Sequence, residues 1–291
     1  MKTAFVILSY RNVKDTVECI NSILSIKTPR DEFAIILIDN SEDEEQSINA
    51  IKKSAKVDFA ISTSNNGYSH GNNAGIKVAY DNGFDYICVI NNDTIVTPNF
   101  LDELLSVIDE KKSAAALVAP LIYTYSDKKI WSSGGHYNAF RANYVMSNEP
   151  IQSTSEAEFV NGCCILFSRR LIDVIGYMDE DYFMYNEDAD WCSKIAAAGL
   201  KNYVAPKSII YHKVSISSGT NSPFQLYYLY KNRFLFIRKN KKGYKKLSAY
   251  IMNFIQAFIR MIQYSIKDPK CGKALWYAIC DAPRVIGRGR Y

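Results

Sequence analysis

Carboxylate and amide side chains follow short apolar runs at two places in the first half of this chain. Asp39-Asn40 follows one such run, and Asn91-Asn92-Asp93 follows another. A carboxylate at the end of a strand can hold a metal ion at the edge of a sheet, and that ion can hold the phosphates of a nucleotide. Taken alone, an Asn-Asn-Asp tripeptide is equally typical of a solvated turn.

A second acidic group and a histidine occur later in the chain. Glu187, Asp188 and Asp190 form the group, and His212 ends an apolar run. A carboxylate in a cleft can take a proton from a reacting hydroxyl group, and imidazole is a common metal ligand. The structural alternatives are a solvated first helical turn for the acids and a core or surface position for the histidine.

The elements that must position these residues alternate along the first half of the chain. Continuous apolar runs predict strands, and apolar residues at a spacing of three and four predict helices. We predict strands at residues 3–9, 33–38, 59–62 and 87–90, and helices at residues 13–25, 44–54, 72–82 and 100–111. Apolar strands alternating with helices indicate a parallel sheet covered on both faces. Ligands bind at the carboxyl ends of such strands, where Asp39, Asn66 and Asp93 fall.

The second half is less regular and ends in a helical region. We predict strands at residues 116–119, 159–167 and 209–211, a helix at 190–198, and helical structure from residue 224. One long amphipathic helix there carries an apolar stripe of Leu247, Tyr250, Ile251, Phe254, Ile255, Phe258, Ile259, Ile262 and Ile266. This stripe either packs on the rest of the domain or lies in a membrane interface.

Charge is unevenly distributed along the chain. Residues 231–291 contain 15 Lys and Arg against 2 Asp and Glu, a net charge of +13, and the remaining residues have a net charge of −8. Such a basic segment is expected to bind an anionic surface, either a membrane or a nucleic acid.

Composition places the chain among globular proteins. Hydrophobic residues make up 48% and charged residues 22% of the sequence, which excludes a disordered chain. We expect no secretory signal peptide and no membrane-spanning helix. Seven cysteines without a Cys-x-x-Cys pair indicate reduced, structural thiols and a cytoplasmic protein.

The ordered set of motifs resembles glycosyltransferase family 2, the large inverting family with the GT-A fold. The motifs lie at residues 6–12, 36–41, 65–75, 91–93, 161–164, 185–190 and 211–212. The resemblance implies an α/β fold, a Rossmann-like and mainly parallel sheet with helices on both faces, plus a helical C-terminal extension. It implies a catalytic domain at residues 1–223, with a nucleotide-binding half at 1–114 and an acceptor-binding half at 115–223. Residues 224–291 would be the basic amphipathic C-terminal region.

The resemblance also implies roles for individual residues around the nucleotide. Asp39 would accept the N3–H of a uracil or thymine ring, with a helix N-cap as the alternative role. Further nucleotide-binding candidates are Ser9, Tyr10, Arg11, Asn66, Asn73 and Asn92. Asp93 and His212 would hold a divalent cation, Mn²⁺ or Mg²⁺.

The same resemblance assigns the reaction centre. Asp188 would be the general base, and Glu187 would support it or shape the acceptor pocket. Candidates for the donor and acceptor pocket are Asn91, Trp131, Gly162, Tyr185, Asp190 and Trp191, although Asp190 is equally an N-cap. Candidates for contact with the diphosphate are Ser218 in a lid and Lys231 or Arg233 as a clamp.

These implications together describe an inverting glycosyltransferase. Within the family the chain looks most like rhamnosyltransferase-type members, which implies dTDP-β-L-rhamnose as donor; a UDP-hexose or UDP-hexosamine is the alternative. The acceptor would be a cell-surface polysaccharide or a lipid-linked glycan at the inner face of the cell membrane. A sugar nucleotidyltransferase would need a Gly-rich loop, which residues 9–12 lack. An RNA-binding protein is the third possibility, but no RRM, KH or zinc pattern appears, and we expect no nucleic-acid partner.

Overall fold

The computed structural model describes residues 1–43, 45–138, 143–213, 221–283 and 287–291. Its helices are α1 (Val13–Leu24), α2 (Gln46–Ser54), α3 (Tyr68–Asp81), α4 (Phe100–Lys111), α5 (Arg170–Ile175), α6 (Glu187–Ala197), α7 (Pro223–Asn240), α8 (Gly243–Lys267) and α9 (Pro269–Asp281). Its strands are β1 (Thr3–Ser9), β2 (Phe33–Asp39), β3 (Phe59–Ser62), β4 (Tyr86–Asn91), β5 (Thr94–Val96), β6 (Ala115–Thr124), β7 (Ile130–Ser132), β8 (Gly135–Asn138), β9 (Asn143–Met146), β10 (Ser155–Ala157), β11 (Cys164–Ser168) and β12 (Lys201–His212).

Parallel strands form the part of the sheet that the first half of the chain contributes. β1 pairs with β2 on one side and with β4 on the other, and β2 also pairs with β3. β1 and β2 are buried along almost their whole length, as expected for strands covered on both faces. The pairing confirms the predicted sheet and brings Ser9, Asp39 and Asn91 to one edge of it.

The second half of the chain extends the same sheet. β11 runs antiparallel to both β4 and β6, whereas β12 runs parallel to β6. β5 pairs antiparallel with the end of β12, which places His212 opposite Thr94. His212 therefore lies beside the residue that follows Asp93, although the two segments are far apart in the sequence.

Alternate residues of the central strand β1 face two separate apolar cores. Val6 packs in a core that includes Ile76 of α3, and Phe5 packs in a second core that includes Ile20 of α1 and Phe100 of α4. Successive side chains of a strand point to opposite faces. The sheet consequently has helices on both faces, as the sequence predicts.

Several element boundaries differ from the predicted ones near the motifs. α3 begins at Tyr68 instead of residue 72, so that Asn73 lies on a helix. α6 begins at Glu187 instead of residue 190, and the acidic group therefore occupies its first turn. The strand predicted at residues 159–167 is wrong in its first half, because β11 begins only at Cys164.

The helices α7, α8 and α9 pack around an aromatic cluster that contains the fully buried Tyr227 and Tyr228. α8 buries Ala249, Asn253 and Ala257, and its apolar stripe lies on the opposite side of the helix. These stripe residues are 42% to 82% exposed: Leu247, Ile251, Phe254, Ile255, Phe258, Ile259, Ile262 and Ile266. Tyr250, the remaining stripe residue, stacks on Phe234 of α7 with ring centroids 5.8 Å apart. The other stripe residues do not pack on the described part of the domain. Among the described residues, no helix is both long and apolar enough to cross a membrane.

Candidate active site

A cavity of about 870 Å³ lies at the carboxyl ends of the central strands. It is lined by residues that follow β1, β2 and β4 on one side and by residues of α7 and the segment 287–291 on the other. The lining of the cavity includes Tyr10, Asn40, Asn91, Asn92, Asp93, Trp131, Gly162, Tyr185, Glu187, Asp188, His212, Arg233, Arg288 and Tyr291. The cavity position agrees with the general location of ligand sites in open α/β sheets.

Asp93 and His212 meet at the wall of this cavity. His212 Nε2 lies 3.1 Å from Asp93 Oδ1, and both side chains are largely buried. Burial lowers the pKa of His212, but contacts with Cys163 and with the Asp93 carboxylate outweigh it and raise that pKa to about 10. Trp131 packs edge-on against the imidazole, with ring centroids 4.7 Å apart. Ser218, which was predicted in a lid after His212, lies outside the described residues.

Glu187 and Asp188 form a second polar centre in the cavity. Asp188 accepts hydrogen bonds from the Gly162 amide at 3.1 Å and the Ala189 amide at 2.8 Å. Burial raises the pKa of Asp188. Burial, together with the charge of Asp188, raises the pKa of Glu187 to about 8. At neutral pH the pair therefore holds one proton, and the remaining carboxylate can accept another.

The turn before these carboxylates is strained and is held by α7. Tyr185 and Asn186 have φ values of 68° and 71°, a left-handed conformation that side chains other than glycine disfavour. The fully buried Asn232 donates to the carbonyl oxygens of Met184 at 2.8 Å and Tyr185 at 3.0 Å. α7 therefore helps to fix the conformation that presents Asp188.

Sequence reasoning missed Tyr68, which joins two motifs. Its hydroxyl group contacts Asn91 Oδ1 at 3.0 Å and the Gly162 carbonyl oxygen at 2.8 Å. The preceding residue, Gly67, has a φ of 105°, and a Cβ there would lie 2.2 Å from the Phe183 carbonyl oxygen. The Asn-Gly-Tyr sequence at residues 66–68 was the available signal, because only glycine tolerates such an approach.

The predicted nucleotide residues divide into a cavity layer and a layer beneath it. Tyr10 and Asn92 line the cavity. Ser9 is buried below, with its hydroxyl group 3.1 Å from that of Thr16, which in turn accepts from Asn92 Nδ2 at 2.8 Å. Arg11 lies outside the lining, 5.1 Å from the Tyr10 ring.

Asp39 is fully buried at the end of β2, next to Asn40 of the cavity lining. Its Oδ1 accepts from the Ser41 hydroxyl group, and burial raises the pKa of the carboxyl group. Its Oδ2 has no hydrogen-bond partner among the described residues. Asn66 is exposed and bonds to Ser64, whereas its neighbour Asn65 lines the cavity.

Two predicted site residues lie outside the cavity lining and have structural contacts instead. Asn73 Nδ2 donates to the Met178 carbonyl oxygen at 2.9 Å and to Glu180 at 2.8 Å. Trp191 is fully buried, and its indole N–H donates to the Gly176 carbonyl oxygen at 3.2 Å. Their contacts with the surrounding protein account for both side chains.

Two charged residues that were predicted to belong to the site, Asp190 and Lys231, also have structural contacts and lie outside the cavity lining. Asp190 is buried, accepts from Asn240 Nδ2 at 2.8 Å and pairs with Lys194 at 3.0 Å, so that it ties α6 to α7. Lys231 is fully buried and donates to the Gly287 carbonyl oxygen at 2.7 Å. Of the two clamp candidates, Arg233 is therefore the one that lines the cavity.

Comparison with known proteins places these features in a family. The model of "Glycosyl transferase family 2" matches residues 4–192. A dTDP-rhamnosyl transferase, RfbF of Shigella flexneri, is 24% identical over 201 residues, which are 64% of this chain and 64% of that protein. An N-acetylglucosaminyl-diphospho-decaprenol L-rhamnosyltransferase of Mycobacterium tuberculosis is 26% identical over 248 residues, 76% of this chain and 79% of that protein.

A solved structure shows the same fold. GalNAc-T7 with UDP, GalNAc and Mn²⁺ superposes with a TM-score of 0.64 at 16% sequence identity. The superposition covers 81% of this chain and 48% of GalNAc-T7. The chain therefore spans about half of this structural neighbour and somewhat less than two thirds of the Shigella relative.

Proposed function

This chain belongs to glycosyltransferase family 2 and has the GT-A fold, and we propose that it transfers one sugar, with inversion, from a nucleotide diphosphate donor to a hydroxyl group of a glycan. One observation carries the proposal: a single cavity is lined both by Asp188 and by the Asp93–His212 pair. Inversion requires a base on one side of the donor sugar and the leaving diphosphate on the other. Both centres must therefore belong to one site.

Asp188 is the proposed general base. Its carboxylate is held by the Gly162 amide at 3.1 Å, which fixes its orientation before the acceptor arrives. The acceptor hydroxyl oxygen forms a bond to the anomeric carbon of the donor sugar, the bond from that carbon to the diphosphate oxygen breaks, and the hydroxyl proton passes to Asp188. Glu187, with a pKa raised to about 8 by burial and by the Asp188 charge, stays neutral beside the base and avoids a second charge in the cavity.

Asp93 and His212 fit a divalent cation, Mn²⁺ or Mg²⁺. A carboxylate oxygen and an imidazole nitrogen lie 3.1 Å apart at the cavity wall, and this donor pair suits both ions. Within the described part of the chain, no cluster of three or more His, Cys, Asp or Glu side chains is available to a metal. The remaining ligands would be phosphate oxygens and water. When bound, the ion supplies positive charge to the leaving diphosphate.

The nucleotide would bind at the ends of β1 and β2. The unpaired Oδ2 of the buried Asp39 is an acceptor for the N3–H of a pyrimidine base, and a buried acceptor without a partner carries an energetic cost that such a ligand removes. Tyr10 and Asn92 line the adjoining wall. This arrangement supports a dTDP or UDP donor over a purine nucleotide.

We propose dTDP-β-L-rhamnose as the donor sugar nucleotide, with a UDP-hexose or UDP-hexosamine as the alternative. The names of the Shigella and Mycobacterium relatives support rhamnose, and the UDP bound to GalNAc-T7 supports the alternative. The product from a β-linked rhamnose donor would be an α-rhamnoside, because the acceptor hydroxyl group attacks the anomeric carbon from the face opposite the leaving diphosphate.

The proposed acceptor is a cell-surface polysaccharide or a lipid-linked glycan at the inner face of the cell membrane. We propose residues 1–223 as the catalytic domain, with halves at 1–114 and 115–223. Residues 224–291 would bind the anionic membrane, and α7 and residues 287–291 of this region also contribute one wall of the cavity. The exposed stripe of α8 supports this, together with basic residues near both ends of that helix: Lys241, Lys242, Lys245, Lys246, Lys267 and Lys270. Each basic side chain at an anionic surface contributes about 1 kcal/mol.

Calorimetric titration with dTDP, UDP and GDP, each with and without Mn²⁺, tests the proposal. We expect metal-dependent binding of dTDP, weaker binding of UDP and none of GDP, and we expect Asp93→Asn to remove the dependence on Mn²⁺. Stronger binding of UDP than of dTDP would indicate a UDP-sugar as the donor and would leave the proposed mechanism unchanged. Absence of binding for all three nucleotides would contradict the assigned site.

A further inference from the structure

Residues 287–291, which we call the strap, form part of the cavity wall although they lie far beyond the matched family region. Arg288 and Tyr291 of the strap line the cavity together with Phe224 and Arg233 of α7. The family match ends at residue 192, so that the common family motifs do not account for this wall.

The backbone of the strap is anchored on both sides of its first arginine. Lys231 donates to the Gly287 carbonyl oxygen at 2.7 Å. The Tyr228 hydroxyl group accepts from the Gly289 amide at 3.0 Å and donates to the Tyr291 backbone oxygen at 2.8 Å. Burial lowers the pKa of Lys231 to about 8, because an ammonium group loses hydration inside the protein.

Close packing also fixes the strap. A Cβ at Gly289 would lie 2.2 Å from the hydroxyl oxygen of Tyr227 and 2.7 Å from its ring. That oxygen is itself held by Asp281 at 2.7 Å, and Asp281 pairs with Arg290 at 2.9 Å. Only glycine permits the backbone of the strap to lie this close to Tyr227. The strap is therefore held in one position against α7 and α9.

Arg288 differs from its neighbour Arg290 in having no such structural partner. Its side chain is exposed and, among the described residues, has no hydrogen bond or ion pair. Its guanidinium carbon lies 5.9 Å from the centre of the Phe183 ring. Arg233 and Arg288 are the permanent cations among the described lining residues. A guanidinium group binds phosphate oxygens through paired hydrogen bonds.

We propose that the strap completes the active-site cavity and that Arg288 binds a diphosphate group there. The inference rests on the proposed transferase function. The diphosphate belongs either to the nucleotide donor or to a lipid-linked acceptor, since both would carry the same group into the cavity.

The test compares Arg288→Gln with Arg288→Lys and with Arg170→Gln, which removes one charge from an exposed position on α5. We expect Arg288→Gln to weaken binding of the diphosphate ligand roughly tenfold, Arg288→Lys to recover part of it and Arg170→Gln to match the wild type. A weaker dissociation constant for the nucleoside diphosphate, measured by calorimetry, assigns the group to the donor. A raised KM for a lipid-diphosphate glycan, with an unchanged KM for the same glycan on an uncharged carrier, assigns it to the acceptor.

Gly289→Ala provides a second variant that keeps the guanidinium group but displaces the strap. We expect it to reproduce the tenfold loss. If both variants bind donor and acceptor as the wild type does, in an enzyme that transfers sugar, Arg288 is an ordinary surface arginine and the inference is wrong. If the wild type itself binds no nucleotide, the proposed function has failed instead.

Discussion

Position within one helical turn separates a carboxylate that lines the cavity from a buried structural one. Asp188 lines the cavity and accepts from the Gly162 amide, whereas Asp190 is buried between α6 and α7 and pairs with Lys194. Residues two apart on a helix point in different directions. We therefore expect substitutions of the two acids to have different effects, although the two residues belong to one acidic cluster in the sequence.

Asp188→Asn should abolish most of the transfer without unfolding the protein. The amide can still accept from the Gly162 backbone, but it cannot take a proton, and the transfer rate should fall roughly a hundred- to ten-thousand-fold. Nucleotide binding by calorimetry should be unchanged. Asp190→Asn is the matched control: it weakens the contact with Lys194, so the melting temperature should fall and the turnover of the folded enzyme should remain. Near-normal turnover in Asp188→Asn would remove Asp188 as the base.

Glu187→Gln should stabilise the protein, and by more at pH 8 than at pH 5. The pKa of Glu187 rises from an ordinary 4.5 to about 8 on folding, so the folded state binds this proton more tightly. The stability from that proton is present below about pH 4.5 and is lost as pH rises through 8. Glutamine does not titrate, and the melting temperature of the variant should exceed that of the wild type by a few degrees at pH 8.

Glu180→Gln is the control of opposite sign. Burial raises the pKa of Glu180, but hydrogen bonds with Asn73 and His70 outweigh this effect and the pKa is lowered overall. The ionised form of Glu180 therefore stabilises the fold above the pKa of the unfolded state. Thermal unfolding of this variant should show a small loss of stability at pH 8. A pH profile of Glu187→Gln parallel to that of the wild type would show that Glu187 is ionised at neutral pH.

Among the elements, α7 has the clearest role in supporting the left-handed turn before Glu187 and Asp188. Asn232→Ala removes both hydrogen bonds to the left-handed segment at Met184 and Tyr185. We expect about 1–3 kcal/mol lower stability and roughly tenfold lower kcat, with an unchanged dissociation constant for the nucleotide. Asn253→Ala, a buried asparagine of α8, should lower stability without changing kcat. Equal kcat losses in the two variants would show a general loss of stability.

The elements also show what the sequence could predict. Apolar runs indicate burial, and the four strands and four helices predicted in the first half were therefore found in the correct order along the chain, as was the parallel sheet. The short strand β5 and the pairing of individual strands were not predicted. Tyr68, Asn232 and Arg288 were not found, because their contacts join segments far apart in the chain and no local pattern reports them. Trp191 was assigned to the pocket because it is an aromatic residue next to the acidic motif, and that position does not distinguish a sugar-stacking face from core packing.

At the scale of the whole molecule, the sequence left two alternatives for the apolar stripe of α8, which are packing on the domain and binding to a membrane. The helix packs on the protein through Ala249, Asn253 and Ala257, and the large apolar residues remain exposed on its opposite side. Contiguous exposed apolar surface of this kind marks an interaction site. Basic residues lie near both ends of the helix, so two copies of this surface would repel each other. We therefore expect the stripe to bind an anionic bilayer and not a second copy of the chain.

Phe258→Glu should therefore release the protein from anionic membranes. The wild type should cosediment with vesicles of phosphatidylethanolamine and phosphatidylglycerol, and less with phosphatidylcholine alone. Phe258 is 42% exposed on the stripe, and replacing its inserted ring by a charge should weaken binding roughly tenfold or more. Gln263→Glu adds the same charge on the polar side of α8 and should weaken binding only slightly. Equal binding by both variants, or a Phe258-dependent dimer in sedimentation without lipid, would contradict the membrane assignment.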